Sequence, residues 1–280
     1  MSFVAVALKC ADLRPEVDPL AGTVRHGIET SGFSLADAAA LEWALRLGEA
    51  WHLPVTAITA GPDEAQAVLR EAAAFGVARL VRVPADGNAP SEVVARALAT
   101  PLGGAVVVCC GDHSADRGSG SVPAFLADQL EAAQALGLTG LAAEGPGLLV
   151  AQRRLDGGRR ERLQVSAPAV ISVEPGAARL RRAPLPGVVA ARQATVETAA
   201  ADGAPAVGGG ARRGRVHVLR TAPYRPRPKV LPPPEGPARG RLLALTGSLS
   251  ERTPPRVVKL AAEEAADELI GYLKDRGYLS

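Results

Sequence analysis

Aromatic residues are scarce in this 280-residue chain, which has four Phe, two Trp and three Tyr. Its interior must be built from Ala, Val and Leu at close range, and its basic stretches lack the stacking platforms of a single-strand nucleic-acid binder. Cysteine is scarcer still. Cys10, Cys109 and Cys110 are an odd count with an adjacent pair and no metal-ligand spacing, which argues against a disulfide framework and a cysteine-built metal site. His26, His52 and His217 are likewise scattered, so no metal is expected. No apolar run reaches the roughly 18 residues that cross a bilayer. The chain opens into an apolar strand-like run, Phe3 to Leu8, with no basic region followed by a longer apolar stretch and a cleavage site. A soluble, reduced, cytoplasmic protein without membrane insertion is expected. The phosphate-cradling Gly-x-x-x-x-Gly-Lys-Ser/Thr pattern is missing, as is a Gly-x-Gly-x-x-Gly opening the first helix. ATP hydrolysis and nicotinamide binding are disfavoured, and no serine sits in a nucleophile elbow.

What is present is an alternation of strand-like and helix-like segments. Phe3 to Lys9 reads as a buried strand, and Ser34, with Asp37 three residues on, reads as the N-cap of a helix with Leu35, Ala38, Leu41, Ala44 or Leu45, and Gly48 at helical spacing. Val55 to Ala60, Leu80 to Val83 and Ala105 to Cys110 read as further strands, with helices over Asp63 to Phe75 and Ser91 to Ala99 between them. Unbroken apolar strands suit a parallel sheet covered on both faces, and Cys109-Cys110 reads as packed core rather than thiol chemistry. A helix is expected from Val122 to Ala135. Strands at Leu148 to Arg154 and Arg162 to Val165 flank the hairpin signal Asp156-Gly157-Gly158, and Ala169 to Val173 is another strand. The order indicates an α/β fold with a doubly wound, mainly parallel sheet.

The composition changes near Thr198. Residues 201 to 255 hold ten of the 23 prolines and the run Gly208-Gly209-Gly210. Charge divides there too. Residues 201 to 280 carry 14 Lys and Arg against 8 Asp and Glu, or +6, leaving 18 against 21, or −3, for residues 1 to 200, within a total of +3. The expected organisation is a domain over residues 1–197, an extended Pro/Gly/Arg-rich arm over 198–256 and an amphipathic helix over 257–280. Strand-like pieces are expected at Val216 to Leu219 and Leu242 to Thr246, and the final helix carries the stripe Val258, Ala261, Ala262, Ala265, Leu269 and Leu273. The basic balance of the tail alone does not make a nucleic-acid binder.

The loop Gly111 to Ser121 follows a buried strand and precedes a helix, the place where backbone amides and the helix dipole collect an anion. From its residues alone it reads equally as a phosphate cradle or as a plain connection. His113 within it could touch a ligand or face solvent.

Six segments in order resemble the β subunits of electron transfer flavoproteins. They are the strand ending Leu8-Lys9, SLADAAALEWALRL from Ser34, TAGPDEAQAVLREAAAFGVARLVRV from Thr59, GDHSADRGSGSVPAFLA from Gly111, RRLDGGRRERLQVSAPAVISVEPG from Arg153, and APLPGVVAAR from Ala183. The resemblance implies that the doubly wound sheet is of adenine-nucleotide-binding, Rossmann-like type, and that the chain is an electron carrier without catalytic activity alone, paired with an α subunit that holds most of the FAD, accepting electrons from dehydrogenases and carrying a structural AMP. It places the cofactor-binding positions at Lys9, Cys10, Ala11, Ser34, Ala60, Gly61, Gly111, Asp116, Arg117, Gly118, Ser119, Gly120 and Ser121. The family carries Gln, Thr or Val, and Gly where this chain has Ser121, Val122 and Pro123, and Pro123 removes an amide. The segment after Lys9 lacks the family's Pro-Asp, and Ala36 stands where an aromatic is usual. The tail resembles an actinobacterial variant associated with mycofactocin-dependent dehydrogenases. Two rival readings are a stand-alone adenine-nucleotide sensor of the universal-stress type and a flavin-bifurcating β subunit with a second FAD in place of AMP.

Overall fold

A computed structural model describes residues 2–18, 21, 23–25, 27, 29–87, 89–199, 236–246, 257, 259–275 and 278–279. Strand β1 (Phe3–Ala7) is followed by β2 (Ala11–Asp12), β3 (Glu16–Val17), β4 (Val24–Arg25) and β5 (Ser31–Gly32), which pair as two small antiparallel ladders, β2 with β5 and β3 with β4. Next come α1 (Leu35–Trp51), β6 (Val55–Gly61), a 3-10 turn at Asp63–Ala65, α2 (Gln66–Ala73), β7 (Arg79–Pro84), α3 (Ser91–Leu102) and β8 (Ala105–Gly111). The remainder of this unit is α4 (Val122–Gln129), β9 (Ala133–Gly145), β10 (Leu148–Arg154), β11 (Arg160–Ser166), β12 (Ala169–Val173), α5 (Leu185–Ala191) and β13 (Glu197–Thr198). By its internal contacts the chain divides into residues 1–224 and 225–280.

The main sheet runs β11-β10-β9-β12-β8-β1-β6-β7-β13. Every neighbour pair from β9 to β13 is parallel, and β10 runs antiparallel to both of its neighbours, β9 and β11. This is the doubly wound α/β arrangement. One face buries Val4, Val6, Val107, Cys109 and Ile171 with α1 and α2, and the other buries Ala5, Ile58, Val108, Cys110 and Val170 with α3 and α4. Alternate residues face opposite ways along each strand, so continuous apolar strands feed two cores at once. Burial raises both Cys109 and Cys110 thiol pKa values.

Helix α1 shows how local sequence sets the geometry. The Ser34 hydroxyl accepts from the Asp37 amide at 3.1 Å and the Asp37 carboxylate accepts from the Ser34 amide at 3.3 Å, closing a capping box; a cap of this kind is worth about 1 kcal/mol. The helix is buried almost all round, rather than along one stripe, because the sheet lies on one side and the segment after β12 lies on the other. There the Trp43 indole donates to the Ala177 carbonyl at 3.4 Å, and Arg181 is ion-paired with both Glu42 and Glu49. Leu35, at the first turn, is 77% exposed.

Helix α4 stops at Gln129 instead of running to Ala135. Glu131 takes a left-handed conformation (φ 50°), and residues 133–145 form β9, which pairs with β12 and β10. Gly137 and Gly140 weaken any helix there, and open strand edges on both sides supply backbone partners. Residues 242–246, expected as a strand, lie in helix α6 (Ala238–Thr246), and Val216 to Leu219 is outside the described residues. The final helix is α7 (Ala262–Asp275), with no buried residue. No described helix is long and apolar enough to cross a membrane.

Candidate functional site: a cleft at the strand ends

Strand β1 lies between β8 and β6, so successive crossovers leave it in opposite directions. The carboxyl ends of strands at such a switch point are where open α/β sheets leave a crevice. A cleft opens there. Ala7, Leu8 and Lys9 from the end of β1, Ala60 from β6, and Cys110 and Gly111 from β8 form its floor. Asp86, Gly87, Ala89, Ser91 and Val94, from the loop after β7 and the start of α3, form one wall, and the β8–α4 loop forms the other.

The buried Asp37 ties the floor together. Its carboxylate accepts from the Lys9 amide at 3.5 Å and from the Ser34 amide, and the Gly111 amide also donates to it. Burial pushes its pKa up to about 6, against the lowering effect of those amides. Gly111 has no room for a side chain. A Cβ there would stand 2.7 Å from Asp37 Oδ1 and 2.9 Å from the Asp37 nitrogen. Across the mouth, Lys9 Nζ meets Asp116 at 2.7 Å, joining β1 to the β8–α4 loop. Partial burial opposes ionisation of Asp116, but the Lys9 ammonium, the Ser114 hydroxyl and the Arg117 amide outweigh it and lower its pKa.

At the far end two helix N-termini meet. Ser91 is the first residue of α3, and its hydroxyl lies 3.5 Å from that of Ser119, which lies 3.1 Å from that of Ser121, the residue before α4. Neither helix has a side-chain cap. Arg117 donates from Nη1 to the Ala89 carbonyl at 2.7 Å, bridging the walls. Gly120 has φ +61°, and a Cβ on it would come 2.5 Å from the Asp112 carbonyl oxygen, so the loop's close approach to itself requires glycine. The middle of the cleft is apolar, with Ala7, Ala60, Val94, Leu98, Cys110 and Val122.

Of the positions singled out in the sequence, Lys9, Ala60, Gly111, Arg117, Ser119, Gly120 and Ser121 line this cleft. Asp116 and Gly118 sit behind that lining, in the same loop. Gly61 follows Ala60 and accepts from the buried Arg82 at 3.1 Å. Three others are placed elsewhere. Cys10 packs against the α1/α2 core, where burial, then Glu64 and Glu71, raise its thiol pKa; Ala11 pairs with Gly32; Ser34 caps α1. Sequence reasoning overlooked the wall of Asp86, Gly87, Ala89 and Ser91, which bears no motif, and read Asp37 only as a cap. The one available signal was a carboxylate three residues after an N-cap.

An electron transfer flavoprotein domain model matches residues 25–204. The chain belongs to the electron transfer flavoprotein family. Among curated proteins it is 34% identical over 148 residues to the electron transfer flavoprotein subunit beta of Mycobacterium bovis, covering 51% of this chain and 54% of that protein. It is 30% identical over 203 residues to Protein FixA of Rhizobium meliloti, covering 66% and 68% of the two chains. It is 32% identical over 161 residues to the subunit beta of Thermoanaerobacterium thermosaccharolyticum, covering 56% and 61%. The chain thus spans about half the length of the mycobacterial relative.

Proposed function

We propose that this chain is the β subunit of a cytoplasmic, heterodimeric electron transfer flavoprotein, carrying electrons from dehydrogenases through an FAD held mainly by an α subunit. In this reading the chain's own cleft binds AMP as a structural ligand. The observation that carries the proposal is the cleft itself, an apolar slot at the switch point that ends in three serine hydroxyls and two helix N-termini. The slot suits a purine, and the hydroxyl end suits a single phosphate. Lys9 is already paired with Asp116, and Arg117 is held by the Ala89 carbonyl, so the cationic groups present match a monophosphate better than a diphosphate. Pro123, at the second position of α4, leaves the serine hydroxyls to replace the amide it lacks.

FAD, when bound, supplies the one- and two-electron chemistry that side chains cannot. This chain's part is to hold the nucleotide and present a rigid base. The domain extends two residues past Glu197, since Thr198 and Ala199 pair with β7; residues 200–280 are assigned to the partner, with the arm reaching it and α7 covering it, in the manner of the mycofactocin-associated variant. Denaturing the purified complex and identifying the released nucleotide by chromatography tests the cleft. AMP is expected, and Asp116→Ala should lower its content while leaving the flavin in place; loss of flavin with AMP retained would remove the cleft from this role.

A further inference from the structure

The β8–α4 loop folds back on itself. A Cβ on Gly120 would come 2.5 Å from the Asp112 carbonyl oxygen, and the Gly118 amide donates to the Ser114 hydroxyl at 3.4 Å. These two contacts bracket His113 and set it across the loop from Ser119, whose hydroxyl lies between those of Ser91 and Ser121. His113 and Ser119 both line the cleft. The root of the loop is fixed, because the Asp112 amide donates to the Val173 carbonyl at 3.0 Å.

His113 Nδ1 lies 2.6 Å from Asp112 Oδ1, and half of the imidazole is exposed. A carboxylate only accepts, so Nδ1 carries the hydrogen of this bond and Nε2 is the ring nitrogen left for a ligand. In the neutral ring Nε2 is an acceptor, which repels a phosphate oxygen. In the protonated ring it is a donor with positive charge behind it. The surrounding charged groups are already engaged or of the wrong sign. Lys9 is paired with Asp116, Arg117 donates to the Ala89 carbonyl, and Glu174, which follows β12, is paired with Arg154 at 2.5 Å. Asp37 on the floor, Asp86 on the wall and Cys110 can be neutral or negative, never positive. Among the described residues lining the cleft, His113 is therefore the one group able to gain a positive charge near neutral pH. A His–Asp clasp that only stiffened the loop would give ligand binding no dependence on the charge of the ring.

Resting on the reading of the cleft as an AMP site, we infer that His113 is its phosphate-selecting residue and binds the phosphate as the imidazolium. The neutral chain, a phosphate dianion and one proton from solvent combine into an imidazolium–phosphate pair, and no bond of the ligand breaks. Asp112 favours the charged ring by its own negative charge. A charge-assisted bond of this kind distinguishes a nucleotide from the nucleoside that lacks the phosphate.

The test uses the full-length chain, dialysed free of nucleotide and titrated calorimetrically with AMP and with adenosine in buffers of different ionisation enthalpy. Near neutral pH the wild type should take up a substantial part of one proton per AMP and none of it with adenosine. His113→Gln should bind AMP about tenfold or more weakly than the wild type near pH 6, lose that difference by about pH 8, and bind adenosine as the wild type does. His113→Asn serves if the first variant fails to fold. In Asp112→Asn the affinity for AMP should fall away at a lower pH than in the wild type, since the ring loses the charge that favours its cation. The titrations of the phosphate and of Asp37 are common to all these proteins and cancel in the comparison. Equal AMP affinity and equal proton uptake in the wild type and the His113 variants would overturn the inference and leave a loop clasp. So would an equal loss of AMP and adenosine binding, which places the ring on the nucleoside. A wild-type chain that binds no AMP overturns the reading of the cleft as well, which separates the two failures.

Discussion

Helix α1 and helix α7 are of similar length and both carry Ala and Leu at helical spacing, yet one is buried almost all round and the other, which also bears five acidic side chains, has no buried residue. α1 has a capping box, a sheet beneath it and the Ala177–Arg181 segment above it. Within its own unit α7 has no comparable cover, and Leu269, Tyr272 and Leu279 are exposed at 58%, 51% and 44%. The same residue types therefore serve two ends. In residues 1–199 they complete a self-sufficient core, whereas in the C-terminal unit they stand exposed on the helix surface.

Breaking this comparison at its weaker side should produce the largest effect. Truncation after Ala199, which keeps β13 and the Ala199 amide's bond to the Arg82 carbonyl, should leave a folded domain that no longer holds the α subunit at micromolar concentration in gel filtration. Co-elution of the truncated chain with its partner would show that α7 is dispensable. A smaller version of the same break is Leu269→Asp, which should weaken the complex with no change in the melting temperature of the chain alone, because no core contact is lost.

On the buried side, Gly111→Ala forces a methyl against the Asp37 carboxylate and backbone. Overpacking of this kind costs about 1–3 kcal/mol, read as a lower thermal midpoint. Gly120→Val combines a positive φ with a clash on the Asp112 carbonyl and should reduce nucleotide content.

Asp37 sharpens the comparison through pH. Its folded pKa of about 6 lies above the unfolded value of 3.8, so the folded state binds the extra proton and is favoured at low pH. Its contribution to stability is therefore complete below pH 3.8 and is lost as pH rises through about 6, a change of roughly 3 kcal/mol. Urea titrations of the wild type and Asp37→Asn across that range should show this falling component in the wild type and a flatter profile in the variant. Equal slopes would mean that Asp37 titrates normally.

The capping box at Ser34 and Asp37, the strand Ala169–Val173 and the Asp-Gly hairpin were legible in the sequence because each rests on local chemistry. β9 was not. AQALGLTGLAAEG has neither strand alternation nor a turn signal at its start, and it becomes a strand because β12 and β10 offer it edges. The cleft was half legible for the same reason. Ser119, Gly120 and Ser121 stand in a glycine-rich loop that follows a strand, whereas Ser91 joins them only because α3 and α4 lie side by side. Asp37 is visible locally as a cap, but its hold on Lys9 and Gly111 depends on two strands being neighbours.

The central claim is that this chain is one half of a flavoprotein, with its flavin held mainly by the other half. Purifying the chain alone and together with an α subunit, and measuring flavin absorbance and extractable nucleotide in each, tests it most directly. The account predicts a colourless chain alone, and a yellow heterodimer containing a single FAD and releasing AMP. A yellow, monomeric, well-folded preparation of this chain alone would contradict it, and a heterodimer with a second FAD and no AMP would contradict the assignment of the cleft.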